Sequence, residues 1–165
     1  MQIGSLTLKN NTILAPLAGI TNLPFRLLAK EAGCALVCSE MISSHGLVYK
    51  SEKTAKMLDS APEEKPLSVQ LFGARPDYMA EAAAIVESSG ADVIDINFGC
   101  SVRKIIKTGS GAALMRTPDL AQDLLKAVRR AIRVPLTIKI RSGWDASGEQ
   151  AIHISRIAED CGVVH

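Results

Sequence analysis

The stretch Asp95-Ile-Asn-Phe-Gly-Cys-Ser-Val-Arg-Lys104 places one thiol, Cys100, just past an apolar run. The loop around it also carries Arg103, Lys104 and Lys107, and then Gly109 and Gly111. Nearby cations favour the thiolate, so such a cysteine can serve as a nucleophile or a proton donor. No histidine stands near it in sequence, so a thiol protease has no support. A loop cysteine without a chemical role is the plain alternative.

Polar residues end the other apolar runs too: Pro16 to Gly19, Ser39-Glu40, Gln70, Asn97, and Lys139 with Arg141. Lys139 and Arg141 flank Ile140 and share one face of a strand. A lysine pointing inward from an apolar strand is costly unless it meets an anion or an acceptor, which favours a ligand. Gln70 can instead satisfy loop backbone, and Asn97 can be a turn residue. Glu40 reads as a structural partner of a lysine or arginine rather than an acid catalyst. Gly109-Ser-Gly111 could admit a phosphate, though a flexible loop explains it equally. His45 and His153 read as surface or packing residues. Trp144, Phe25, Phe72, Phe98, Tyr49 and Tyr78 make no interleaved stacking platform for single-stranded RNA.

Those residues need elements to hold them. The first ten residues alternate as a strand or hairpin. Strands are predicted over 12–16, 35–39, 67–71, 93–97 and 135–140, and Gly162 to His165 reads as the start of a sixth. Helices are predicted from Pro24 to Gly33, with Phe25, Leu28, Ala29 and Ala32 on one face, and over His45 to Leu58. Further helices are predicted over Pro76 to Ser88, from a Thr117 cap through Ile132, and over Ser147 to Asp160. This alternation means parallel strands with crossover helices. Pro16-Leu-Ala-Gly19 carries no GxGxxG, and five polar strand ends converge on the edge where barrel enzymes build their sites. The predicted fold is therefore an incomplete (β/α)8 barrel, about five βα units plus the start of a sixth.

The chain has 165 residues, 47% hydrophobic and 22% charged, with a net charge of +2. That is one ordinary globular domain, and its charge alone does not announce nucleic acid. No apolar run approaches the ~20 residues of a membrane span. The alternating N-terminus lacks a signal peptide's apolar core, which places the protein in the cytoplasm. Cys34, Cys38, Cys100 and Cys161 make no metal or disulfide framework, and all but Cys100 read as small core residues. Open edges of an incomplete barrel favour association through unpaired backbone.

Five motifs in order carry a resemblance: Ala15-Pro-Leu-Ala-Gly-Ile-Thr-Asn-Leu-Pro-Phe-Arg26, Ser39-Glu-Met41, Val69-Gln-Leu-Phe-Gly73, Asp95 to Cys100, and Ile138-Lys-Ile-Arg141. Together they resemble the bacterial tRNA-dihydrouridine synthases. The resemblance implies an FMN enzyme that takes electrons from NADPH and reduces a flipped-out uracil in tRNA. It implies that Pro16, Leu17, Ala18 and Gly19 lie along the flavin, with Gln70, Lys139 and His165 also contacting it. Asn97 and Arg141 would hold the uracil, and Cys100 would protonate C5 while the flavin delivers hydride to C6. Ser101 stands where the family usually has proline. Residues 1–165 would be the N-terminal part of the FMN-binding barrel, without the remaining strands, the phosphate site and the helical tRNA-binding domain. Two alternatives compete: an FMN barrel dehydrogenase of the dihydroorotate type, and an inactive fragment acting only by association.

Overall fold

The five apolar runs pair side by side in a single parallel sheet. The computed structural model describes residues 1–164. Strands β1 (Gln2–Ile3) and β2 (Leu6–Thr7) form a short antiparallel hairpin ahead of it. Then β3 (Ile13–Leu14), β4 (Leu36–Ser43), β5 (Leu67–Phe72), β6 (Val93–Phe98) and β7 (Leu136–Ile140) stand in chain order. Helix α1 (Leu23–Glu31) follows β3, and α2 (Ser44–Val48) and α3 (Glu52–Ala55) follow β4. Helix α4 (Pro76–Ser88) follows β5, α5 (Arg103–Ile106) and α6 (Pro118–Ala131) follow β6, and α7 (Glu149–Asp160) follows β7.

Sequential parallel order is barrel topology, because a doubly wound sheet reverses its order at a switch point. After α7 the backbone turns at Gly162, whose φ is +78°, and comes back beside β7. There Val164 N–H donates to the Leu136 carbonyl at 2.9 Å, on the open side of β7 where a sixth strand would lie. The fold is thus an incomplete (β/α)8 barrel of five units and the start of another. No helix among the described residues is long and apolar enough to cross a membrane.

Side-chain alternation divides the sheet into two working faces. Leu67, Val69 and Leu71 of β5 and Ile94, Ile96 and Phe98 of β6 point to the helices. They pack in one buried cluster with Met79, Ala82, Ala83 and Val86 of α4 and Leu124, Leu125 and Val128 of α6. Each such large side chain contributes roughly 1.5–3 kcal/mol by leaving water. The opposite face carries Ser68 and Gln70, then Val93, Asp95 and Asn97, and its polar members are the ones that could meet a ligand.

Several local expectations are corrected. Helix α1 buries Arg26 rather than the apolar face read from its periodicity: Phe25 and Leu28 are 41% and 61% exposed. The predicted helix over His45 to Leu58 breaks in two. Lys50 takes a left-handed φ of +53°, and Ser51 then caps α3 by accepting from Thr54 N–H at 3.4 Å. Strand β4 continues to Ser43 with a register shift against β5 between Cys38 and Met41. Thr117 offers no side-chain cap to α6. Helix α4 starts and ends where expected.

Candidate active site

Parallel pairing brings inward residues of four strands to one level, and those of three of them are polar. Met41 sits opposite Gln70, Gln70 opposite Asp95, Asp95 opposite Thr137, and Asn97 opposite Lys139. Asp95, Gln70 and Asn97 are all buried, so each polar atom needs a partner. They find one another. Gln70 Nε2 donates to Asp95 Oδ2 at 2.6 Å, Thr137 Oγ1 donates to Asp95 Oδ1 at 2.7 Å, and Asn97 Nδ2 donates to Gln70 Oε1 at 2.9 Å. Asn97 Oδ1 then accepts the backbone N–H of Gly99 at 3.2 Å and of Cys100 at 2.9 Å. The asparagine read as a possible turn residue is one, and it fixes the turn that carries the thiol.

Burial holds the Asp95 carboxyl above the usual carboxylate range, against the hydrogen bonds from Gln70 and Thr137 and the nearby Lys139 charge. Cys38, on the same inner face, is pushed up to about 12, first by burial and then by Asp95. Cys38 therefore stays a neutral thiol until the pH approaches that value. At pH 8 its alkylation by iodoacetamide is expected to run at least about 100-fold slower than that of free cysteine in the same solution, because only the thiolate reacts. Peptide-resolved mass spectrometry checks this.

The loop that follows is closely built. Ala112 N–H donates to the Cys100 carbonyl at 2.9 Å. Gly111 has a φ of +64°, and a Cβ there would lie 2.6 Å from the Cys100 carbonyl oxygen. Gly111, one of the two glycines read as a possible phosphate contact, is needed here for close backbone approach. Arg103, Lys104 and Lys107 lie exposed on and just after α5.

The segment after β3 joins the same edge. Gly19 N–H donates to the Glu40 carboxylate. Glu40 thus takes a backbone partner where a lysine or arginine was expected. Thr21, fully buried, ties the turn by accepting from Leu17 N–H at 3.1 Å and donating to its carbonyl at 3.2 Å. A cavity of about 400 Å³ opens on the inner face, lined among others by Ala15, Pro16, Cys38, Asp95, Thr137 and Lys139. A larger hollow, about 1010 Å³, lies at the other ends of the strands, by Ala35, Pro66 and Asp92, away from Cys100.

Residues 13–165 match the family model of the dihydrouridine synthases (Dus). The chain belongs to the dihydrouridine synthase family. It is 44% identical over 163 residues to tRNA-dihydrouridine synthase B of Vibrio cholerae, covering 99% of this chain and 51% of that protein. The corresponding protein of Shewanella oneidensis is 45% identical over the same shares. That of Xanthomonas campestris is 46% identical, with 49% of its length covered. The chain spans about half the length of the curated relatives it matches.

In this chain the sequence-predicted residues fall into two groups. Gln70, Asn97 and the Cys100 backbone form one hydrogen-bonded unit, with Lys139 paired in register to Asn97. Pro16 and Lys139 share the cavity wall, while Leu17 is 47% exposed beside it. Arg141 is exposed just past β7. His165 lies outside the described residues. Asp95 and Thr137 were not singled out from the sequence. Their signal was parity, since Asp95 shares its strand face with Asn97, and Thr137 shares its own with Lys139.

Proposed function

We propose that this chain supplies the catalytic face of a flavin-dependent uridine reductase that forms 5,6-dihydrouridine in tRNA with NADPH as the electron source. The observation that carries this reading is the buried Asp95–Gln70–Asn97 unit, which holds the turn of the Cys100 loop at the strand edge where Asn97 pairs in register with Lys139. The names of the relatives support it, each being a tRNA-dihydrouridine synthase.

The residues present fit FMN. A cavity of about 400 Å³ is within the range that takes a small planar ring system, and it has an apolar wall with a cation at its edge. Pro16 and Lys139, which line the cavity, would meet the ring, with Leu17, Ala18 and Gly19 continuing from Pro16 and Gln70 on the inner face of β5 nearby. Lysine there favours negative charge on a reduced ring. When bound, FMN reduced by NADPH supplies the hydride for uracil C6. Arg141 would hold the uracil, Asn97, its amide committed to Gln70 and to the Gly99 and Cys100 N–H groups, would hold the thiol in place, and Cys100 would give its thiol proton to C5, so that hydride and proton together saturate the C5–C6 bond. A base in a helix must leave its stack to reach such a pocket. Residues 1–165 would then be the N-terminal part of an FMN-binding barrel.

Flavin capture tests the reading. The chain is mixed with FMN, desalted, and its visible spectrum recorded. Retained flavin absorbance is expected, with a loss of at least about tenfold in affinity for Lys139→Ala, since a charge-assisted contact contributes about 1.5–3 kcal/mol. A colourless protein would contradict the proposed cofactor role.

A further inference from the structure

The hydrogen-bond unit beneath the site has a direction, and its two ends set it. A carboxylate can only accept, and a backbone N–H can only donate. Asp95 accepts at both oxygens, Oδ2 from Gln70 and Oδ1 from Thr137. Gln70 must therefore turn Nε2 toward Asp95, which leaves Oε1 facing Asn97. Asn97 must turn Nδ2 toward Gln70, which leaves Oδ1 for the N–H groups of Gly99 and Cys100. The far end demands the same arrangement, because those two N–H groups need an acceptor. Only one orientation of both amides satisfies every member. Gln70 is further fixed by its own N–H, which donates to Ser39 Oγ at 3.1 Å.

We infer that Asp95 is the positioning residue of this site, fixing the polarity of a buried Asp95–Gln70–Asn97 relay and through it the Cys100 loop. This deepens the proposed function by naming what holds the thiol in place, but its test needs neither flavin nor turnover. Failure of one is therefore distinguishable from failure of the other.

The relay makes unequal demands on near-isosteric substitutions. In Asp95→Asn the new amide can offer its own N–H to Gln70 Oε1. Position 95 then no longer forbids reversal, and where Gln70 reverses, Asn97 reverses after it and an NH2 group faces the N–H groups of Gly99 and Cys100. In Gln70→Glu two buried carboxylates meet where the present bond is 2.6 Å long. Combining the two substitutions restores the logic. The carboxylate introduced at position 70 accepts from the amide introduced at position 95 and from Asn97, and Asn97 Oδ1 again caps the loop. One acceptor-only group must occupy position 95 or 70, and not both.

Peptide-resolved iodoacetamide kinetics at one pH read each cysteine separately. Asp95→Asn is expected to speed alkylation of Cys100 about tenfold, the factor that losing a hydrogen bond of about 1.4 kcal/mol produces. Asn97→Ala, which removes the terminal acceptor, should reproduce that rate. The double variant D95N/Q70E should return to within about threefold of the parent chain. Cys34 and Cys161 serve as internal controls, with unchanged rates expected throughout. An unchanged Cys100 rate in Asp95→Asn, or a double variant no slower than D95N, would overturn the inference. So would equal acceleration at Cys34 and Cys161, which would mean general loosening. If Gln70→Glu alone does not fold, the other three variants still decide the question.

Discussion

Replacing Glu64 with alanine is expected to cost about 3–5 kcal/mol of folding stability, the largest effect on the fold. Glu64 and Arg26 are buried together under α1. Arg26 Nε reaches Glu64 Oε2 at 2.5 Å and Nη2 reaches Oε1 at 3.1 Å, a two-pronged pair. Two further guanidinium donors go to the carbonyls of Thr21 at 2.9 Å and Asp59 at 3.0 Å. Without Glu64 a buried cation keeps only neutral acceptors, which do not offset its desolvation. The pair also reaches the site. Arg26 holds the Thr21 carbonyl, and Thr21 holds both polar backbone atoms of Leu17 in the segment proposed to border the flavin. Urea unfolding of Glu64→Ala, Arg26→Leu and the doubly substituted R26L/E64L measures this. The double is expected to recover much of the loss, since it leaves no unpaired charge. A single-variant cost below about 1 kcal/mol would mean that water reaches the pair.

The second large effect falls on chemistry. Cys100→Ala is expected to lower the rate of dihydrouridine formation by about 10²- to 10⁴-fold, the usual contribution of a positioned proton donor. Binding should survive. The loop is held by the Cys100 N–H to Asn97 and the Cys100 carbonyl to Ala112, and neither bond uses the thiol. Flavin retention and urea midpoint should therefore match the parent chain while turnover collapses. A rate within about threefold of the parent would remove Cys100 from the proposed chemistry.

Much of this was legible in the residues because strands have a simple period. Gln70, Asn97 and Lys139 end apolar strands at the inward parity, and pairing in register places them side by side. The barrel order followed from the βα alternation and the missing GxGxxG. What was not legible depended on long-range partners. Arg26 and Glu64 lie 38 residues apart, and nothing local marks them as a pair. The periodicity of α1 pointed to Phe25 and Leu28 as its buried face. That helix packs instead on β4 with Arg26 turned inward to Glu64, which leaves Phe25 and Leu28 on its outer side. Lys50 breaks a helical run through a left-handed backbone that lysine does not advertise. The register shift in β4 depends on Ser39 accepting from a neighbouring strand, a contact no single strand reveals.

The most direct measurement is dihydrouridine itself. Unmodified tRNA is incubated with the chain, FMN and NADPH, digested, and examined by mass spectrometry for a uridine that has gained two hydrogens. The account predicts that product, dependent on both FMN and NADPH and lost in Cys100→Ala. A chain that retains flavin and oxidises NADPH yet leaves every uridine unreduced would contradict it.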